Sequence, residues 1–170
     1  MNPIRGSRWN SEACAYVDLN GYGFNFIKIM SDISLYISFK RDPRFVFALS
    51  LGGAVNFGKY DFLHANHLGG NNHLRGFLNN RFAGDALLYQ NSELRIKLLN
   101  IRKYYFVGQW GFLIFNDLGK VWYDGKSTPT WHNGYGFGTW LTPFNATIIN
   151  LSYNISDEEN YITLNLKFSF

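Results

Sequence analysis

Gly69-Gly70-Asn71-Asn72-His73-Leu74-Arg75-Gly76-Phe77-Leu78-Asn79-Asn80 is the stretch on which the reading of this chain turns. Glycine and asparagine are loop residues, yet here they enclose an arginine with Leu74 before it and Gly76-Phe77 after it. Apolar side chains beside a cation suit a loop that folds back and docks rather than one that waves in water. On either side the chain alternates apolar and polar residues with a period of two, the mark of half-buried β-strands. The expectation is a β wall built around this loop, which holds Arg75 against two carboxylates.

The totals agree with that picture. One hundred and seventy residues make one domain with a real core. Aromatic residues reach 19% and charged ones only 16%, a balance that suits a chain with one apolar and one polar surface to satisfy. No run of about 18 apolar residues exists, so no transmembrane helix is expected. Cys14 stands alone, which rules out a disulfide within the chain. The net charge of +4 is scattered, with small knots at Lys40-Arg41 and Arg102-Lys103. Without a basic stripe or a recognition helix, nucleic acid is not an expected partner. Met1 to Gly6 lacks the apolar core of a signal peptide. A protein working beyond an inner membrane would then be read from a fragment or a truncated frame.

Eight alternating runs follow one another. Ala13, Ala15, Val17 and Leu19 oppose Asn10, Glu12, Tyr16 and Asp18; Ile27, Ile29, Ile33, Leu35, Ile37 and Phe39 oppose Lys28, Asp32, Ser34 and Ser38. Phe45 to Phe57 forms a third run, and the long loop occupies 58–84. Leu88, Leu94, Ile96 and Leu98 then oppose Tyr89, Asn91, Glu93, Arg95 and Lys97. In the fifth run Phe106, Trp110, Phe112 and Ile114 point one way and Gln109, Gly111, Phe115 and Asp117 the other. The sixth has Gly134, Gly136 and Gly138 on one face, which implies something packed close against the backbone. Ile149 to Ile155 and Ile162 to Phe170 complete the count. Turns are expected at 20–23, 40–43, 100–103, 142–145 and 156–160, with a further loop at 123–131.

The fold class this predicts is all-β: an eight-stranded antiparallel meander. Its connections alternate between short and long, as in outer-membrane barrels, and an even count puts both chain ends on the short-turn side. A soluble calyx also alternates, but hides its apolar face inside. The non-aliphatic face here collects Lys28, Asp32, Glu93, Arg95, Lys97, Asp117 and Lys167. That many charges favour a wet lumen over a dry one.

Three motifs now resemble a known family. Leu74-Arg75-Gly76-Phe77 resembles the V/L-R-G-F/Y loop motif of the BamA/TamA family of outer-membrane assembly factors, whose domain is also called the bacterial surface antigen barrel. Glu93-Leu94-Arg95 resembles the strand motif after that loop, and Phe115-Asn116-Asp117-Leu118-Gly119 fits the F-x-D-x-G of the next strand. The resemblance implies that residues 1–170 are the C-terminal eight strands of a sixteen-stranded transmembrane barrel, with 58–84 an external loop folded into the lumen; a small barrel closed on itself is the alternative. Parity puts Glu93 and Asp117 on one face of neighbouring strands, where Arg75 could meet both. The planar, always-charged guanidinium fork is the suitable cation for such a pair. Arg95, Phe115 and Gly119 are expected to support it, and Gly134, Gly136 and Gly138 to leave room for the loop.

The final strand, ending in Phe168 and Phe170, resembles the signal by which such barrels are recognised for insertion. His64, His67 and His73 lack a third ligand of the right type, so no metal site and no cofactor are expected. No nucleophile with a paired base appears, so no catalytic residue is assigned and the protein is not expected to be an enzyme. By resemblance, the function is to assist insertion of β-barrel proteins into, or polypeptide transport across, the outer membrane of a Gram-negative bacterium. Its partners would be outer-membrane lipid, unfolded outer-membrane protein substrates and assembly factors. Alternatives are a membrane anchor for a fused enzyme such as a patatin-like phospholipase, and a small independent pore.

Overall fold

The structure, a computed structural model, describes residues 4–19, 23–38, 44–70, 73–104, 106–127, 130–144 and 146–168. Its strands are β1 (Gly6–Tyr16), β2 (Phe26–Ile37), β3 (Phe45–Gly58), β4 (Asn66–Leu68), β5 (Phe82–Gly84), β6 (Ala86–Lys103), β7 (Phe106–Tyr123), β8 (Lys126–Ser127), β9 (His132–Pro143), β10 (Thr147–Ser156) and β11 (Asn160–Phe168). A single 3-10 turn, Phe62–His64, is the only helical element among the described residues. Eight strands form the wall in the order β1-β2-β3-β6-β7-β9-β10-β11, each paired antiparallel with the next. Among the described residues the sheet is open: β1 and β11 are its edges and do not pair with each other. The small self-closed barrel is therefore not the form seen.

Register fixes what each face carries, because a strand's side chains alternate strictly. Odd positions of β2, β3 and β10 and even positions of β7 and β11 turn outward. Ile33 is 41% exposed there, Phe112 45% and Leu164 61%. The apolar side of the wall is thus its bare side, the reverse of a soluble calyx. On the other face lie Leu68, Leu74, Phe77, Leu87, Tyr89 and Val121, a buried cluster made jointly by the loop and the wall.

Two boundaries differ from expectation. Residues 100–103 do not turn: β6 and β7 are 18 residues each and stay paired from Ala86↔Trp122 to Lys103↔Phe106, with a bulge at Leu98. Asn100 and Arg102 are polar because that strand end emerges from the apolar band, not because the backbone reverses. At the other end, 123–131 is not all loop, since β8 pairs with the last residues of β7. Of the turn expected at 20–23 only Gly23 is described, its N–H donating to Asp18 Oδ2; the turn expected at 40–43 lies outside the described residues.

The long loop reaches every wall strand. His64 meets the Tyr16 ring of β1 and the Phe26 ring of β2, and its carbonyl accepts from Asn56 Nδ2 of β3 at 2.9 Å. Asn91 of β6 donates to the His73 carbonyl at 2.8 Å. The loop's partners on β7 to β11 include Asp117, His132, Ser156 and Tyr161. Eight strands laid flat would be about 34 Å wide. A loop that touches both edges while burying Leu68 and Leu74 completely is one that the sheet curls around.

Candidate functional site: an arginine clamp under the loop

Arg75 occupies the tip of the loop. Its Nε donates to Asp117 Oδ2 at 2.7 Å and its Nη2 to Asp117 Oδ1 at 2.8 Å, a bidentate fork. Its backbone N–H donates to the same Oδ2 at 3.0 Å. On its remaining side, Nη1 donates to Glu93 Oε2 at 2.7 Å. Arg95 closes the row through Nε to Glu93 Oε1 at 2.5 Å. Two cations and two anions thus alternate, so the cluster is neutral.

The wall positions each partner. Glu93 and Arg95 are two apart on β6 and share the inner face; Phe115 and Asp117 do the same on β7, with Phe115 directly across from Glu93. The guanidinium carbon lies 3.7 Å from the centre of the Phe115 ring, so the cation has an aromatic floor. The Asp117 side chain is fully buried, while that of Arg75 keeps 26% exposure on the open side. Burial pushes the Arg75 guanidinium down, but hydrogen bonds and charge from Asp117 and Glu93 outweigh it and hold the group above its ordinary value. Glu93 lies seven residues into β6, about 23 Å along a strand at roughly 3.3 Å per residue. The loop descends deep.

The motif residues beside Arg75 each make a contact. Leu74 is fully buried and Phe77 is 2% exposed. Phe77 meets the rings of Phe82 and His132 edge-on. Gly76 has φ +96°, and a Cβ on it would come within 2.9 Å of the Ile155 carbonyl oxygen. Only glycine suits that backbone and that gap.

The wall glycines divide by role. A Cβ at Gly134 would fall 1.7 Å from the Arg75 carbonyl oxygen, so this glycine makes way for the loop itself. One at Gly136 would meet first the Tyr153 carbonyl oxygen on β10 and then the Phe115 ring at 2.7 Å, so this glycine serves the wall and, through Phe115, the loop. At Gly138 only β10 is met: its Cβ would reach the Leu151 carbonyl oxygen at 2.4 Å and Ser152. The expectation that all three glycines leave room for the loop is corrected there. Gly138 permits close packing within the wall. Gly119 admits the loop's Leu68, whose Cδ2 would lie 2.4 Å from an added Cβ.

Several contacts carry no signal in the sequence. Ser156 Oγ donates to the Gly76 carbonyl at 2.5 Å. Tyr161, on the edge strand β11, donates to the Phe77 carbonyl at 2.7 Å. Arg81 forms an exposed fork with Glu158, Nε to Oε2 at 2.7 Å and Nη2 to Oε1 at 3.0 Å. His73, in the left-handed region at φ 66°, stacks on Tyr89 with ring centres 3.9 Å apart. A cavity of about 540 Å³ remains between the loop and β1–β3, lined by Glu12, Lys28, Asp32, His67, His73 and Tyr89 among others. Among the described residues no three His, Cys, Asp or Glu side chains are grouped as a metal would require. Cys14 Sγ donates to Glu12 Oε1 at 3.1 Å. Of the C-terminal pair, Phe168 is the last residue of β11 and Phe170 lies outside the described residues.

A family model described as the Omp85 superfamily domain matches residues 1–170. The chain belongs to the Omp85 superfamily. A search among curated proteins gives no match. Omp85 domains are associated in general with the outer membrane and with assembly or translocation of proteins there, in contact with membrane lipid and substrate chains. In this Omp85 domain the outward apolar face and the neutral, hydrogen-bonded clamp suit a wall that holds a loop in place. Asp117 spends both oxygens on Arg75.

Proposed function

We propose that this Omp85 domain is a BamA/TamA-type barrel wall of a Gram-negative outer membrane, where it assists insertion of β-barrel proteins or passage of polypeptide. Residues 1–170 would form the barrel domain, with 58–84 as its lumenal loop. The observation that carries the reading is Arg75 seated between Asp117 and Glu93 beneath a loop of the family's motif. The role is mechanical rather than enzymatic. Both β1 and β11 offer unpaired backbone N–H and C=O groups, and an unfolded strand can add to such an edge by main-chain hydrogen bonding. A docked loop keeps the wall rigid while its edges stay available.

The test is reconstitution of the complete protein in liposomes, followed by the rate at which an unfolded outer-membrane β-barrel client becomes protease-resistant. Faster acquisition than in empty liposomes is expected, with loss of the gain in Arg75→Ala. A client that inserts no faster, and a polypeptide that crosses no faster, would sink the proposal.

A further inference from the structure

The outward face of the wall carries aliphatic and aromatic residues with a few small or amide side chains between them. Lys120 breaks the pattern. It is an even position of β7, on the same face as Phe112 and Ile114, and among the described side chains of the eight wall strands it is the one charged group that the register puts there. It is half-buried. An unmatched charge on a surface facing hydrocarbon is costly and persists only where it can reach the polar boundary or a counter-ion.

Its position meets the first condition. Lys120 lies three residues from the end of β7 on the long-loop side, opposite Leu88 of β6. Two indoles flank it: Nζ is 5.9 Å from the Trp122 ring centre and 5.7 Å from that of Trp131. Indoles gather at the height of lipid headgroups. They also favour a cation between their faces, but supply no negative charge. Among the described residues no carboxylate pairs with Lys120, whereas Arg75, Arg81 and Arg95 each have one. Asn133, one pleat away on the same face, accepts from Asn116 Nδ2 at 2.7 Å, which leaves its own amide N–H groups as donors on that surface.

We propose that Lys120, between Trp122 and Trp131, is a binding site on the outside of the wall for the phosphate of an anionic lipid headgroup in the leaflet on the long-loop side. The indoles hold the ammonium half-stripped of water, the phosphate supplies the missing charge, and Asn133 can donate to a second oxygen. The occupant is a lipid because the site opens onto the apolar face, where acyl chains can lie along Phe112, Ile114 and Leu88. Free phosphate would gain nothing from that surface. The site rests on the reading of the wall as membrane-facing, and the experiment separates the two.

The full protein would be placed in vesicles of phosphatidylcholine alone, or with added phosphatidylglycerol or diphosphoryl lipid A, and lipids retained after gentle detergent release would be counted by native mass spectrometry. Insertion in every vesicle is expected, with selective retention of the anionic lipids. Lys120→Gln should weaken retention about fivefold, Lys120→Arg should keep it, and inorganic phosphate should not displace the lipid. Equal retention by wild type and Lys120→Gln would overturn the site and leave the membrane reading standing. Displacement by inorganic phosphate would also overturn it, as a bare anion site. Failure to insert in any vesicle would remove the membrane reading and the site together. Should Lys120→Gln not fold, wild type decides alone, since it must prefer the anionic lipids to phosphatidylcholine.

Discussion

The carbonyl oxygen of Arg75 occupies the space that a side chain on Gly134 would need, 1.7 Å from where its Cβ would stand. Loop tip and wall therefore meet backbone to backbone. Gly134→Ala should push the loop off β9 and break the Arg75–Asp117 fork, whereas Gly138→Ala should strain the β9–β10 pairing without touching the loop. Limited proteolysis of 58–84 tells them apart. Rapid cleavage is expected in Gly134→Ala alone, and equal cleavage in both would show that the loop does not depend on that approach.

Arg75→Ala leaves Asp117 buried without its cation. Breaking a buried pair costs roughly 3–5 kcal/mol, and water at the quarter-exposed guanidinium brings the expected loss to the lower end or below it. Arg75→Lys keeps the charge but not the fork and should fall nearer to alanine than to wild type. The measurement is denaturant unfolding of the reconstituted protein with proteolysis of the loop alongside. Unchanged curves for both variants would mean that the clamp holds nothing.

Tyr161→Phe removes the hydrogen bond from the edge strand to the Phe77 carbonyl, and a loss of about 1 kcal/mol is expected. The exposed Arg81–Glu158 fork should matter far less. Glu158→Gln should show a small effect at low salt that disappears as salt is added, while the Tyr161→Phe effect should persist. A salt-sensitive Tyr161→Phe would contradict the assignment.

Acid should loosen the loop through His73. His73, flat on Tyr89, has lost water around its ring and is held below the ordinary histidine range, against the opposing pull of Asp32 and Asp117. The docked loop thus binds fewer protons than the released one. Its stability is complete above about pH 6.5 and declines as pH falls from there toward the depressed value. Proteolysis of 58–84 should therefore rise on acidification in wild type, and His73→Gln should flatten the rise.

Much of the architecture could be read from parity. Because a strand's period is two, counting residues was enough to put Glu93 and Asp117 on one face and Phe112 on the other. The motif then pointed Arg75 at that face. Strand ends were harder. Asn100 and Lys103 look like turn residues, but a polar residue at a strand end that leaves an apolar band looks the same. The grip of Ser156 and Tyr161 on the loop left no trace, since these residues stand 80 and 84 positions from Gly76 and Phe77, and nothing in a serine or a tyrosine names a distant carbonyl. The three glycines of β9 read as one feature, although only backbone geometry separates Gly134, which faces a loop, from Gly138, which faces a strand.

Tyr16 at one margin and Tyr161 at the other are both tied to the same 58–84 segment. That segment acts as a bowstring: the sheet cannot flatten at the long-loop end without tearing it away, while the opposite end has no such tie among the described residues. Breathing of the wall should therefore be lopsided. Amide exchange along β11 should be slow near Tyr161 and quicken toward Leu166, so that any parting of the margins begins at the short-turn end.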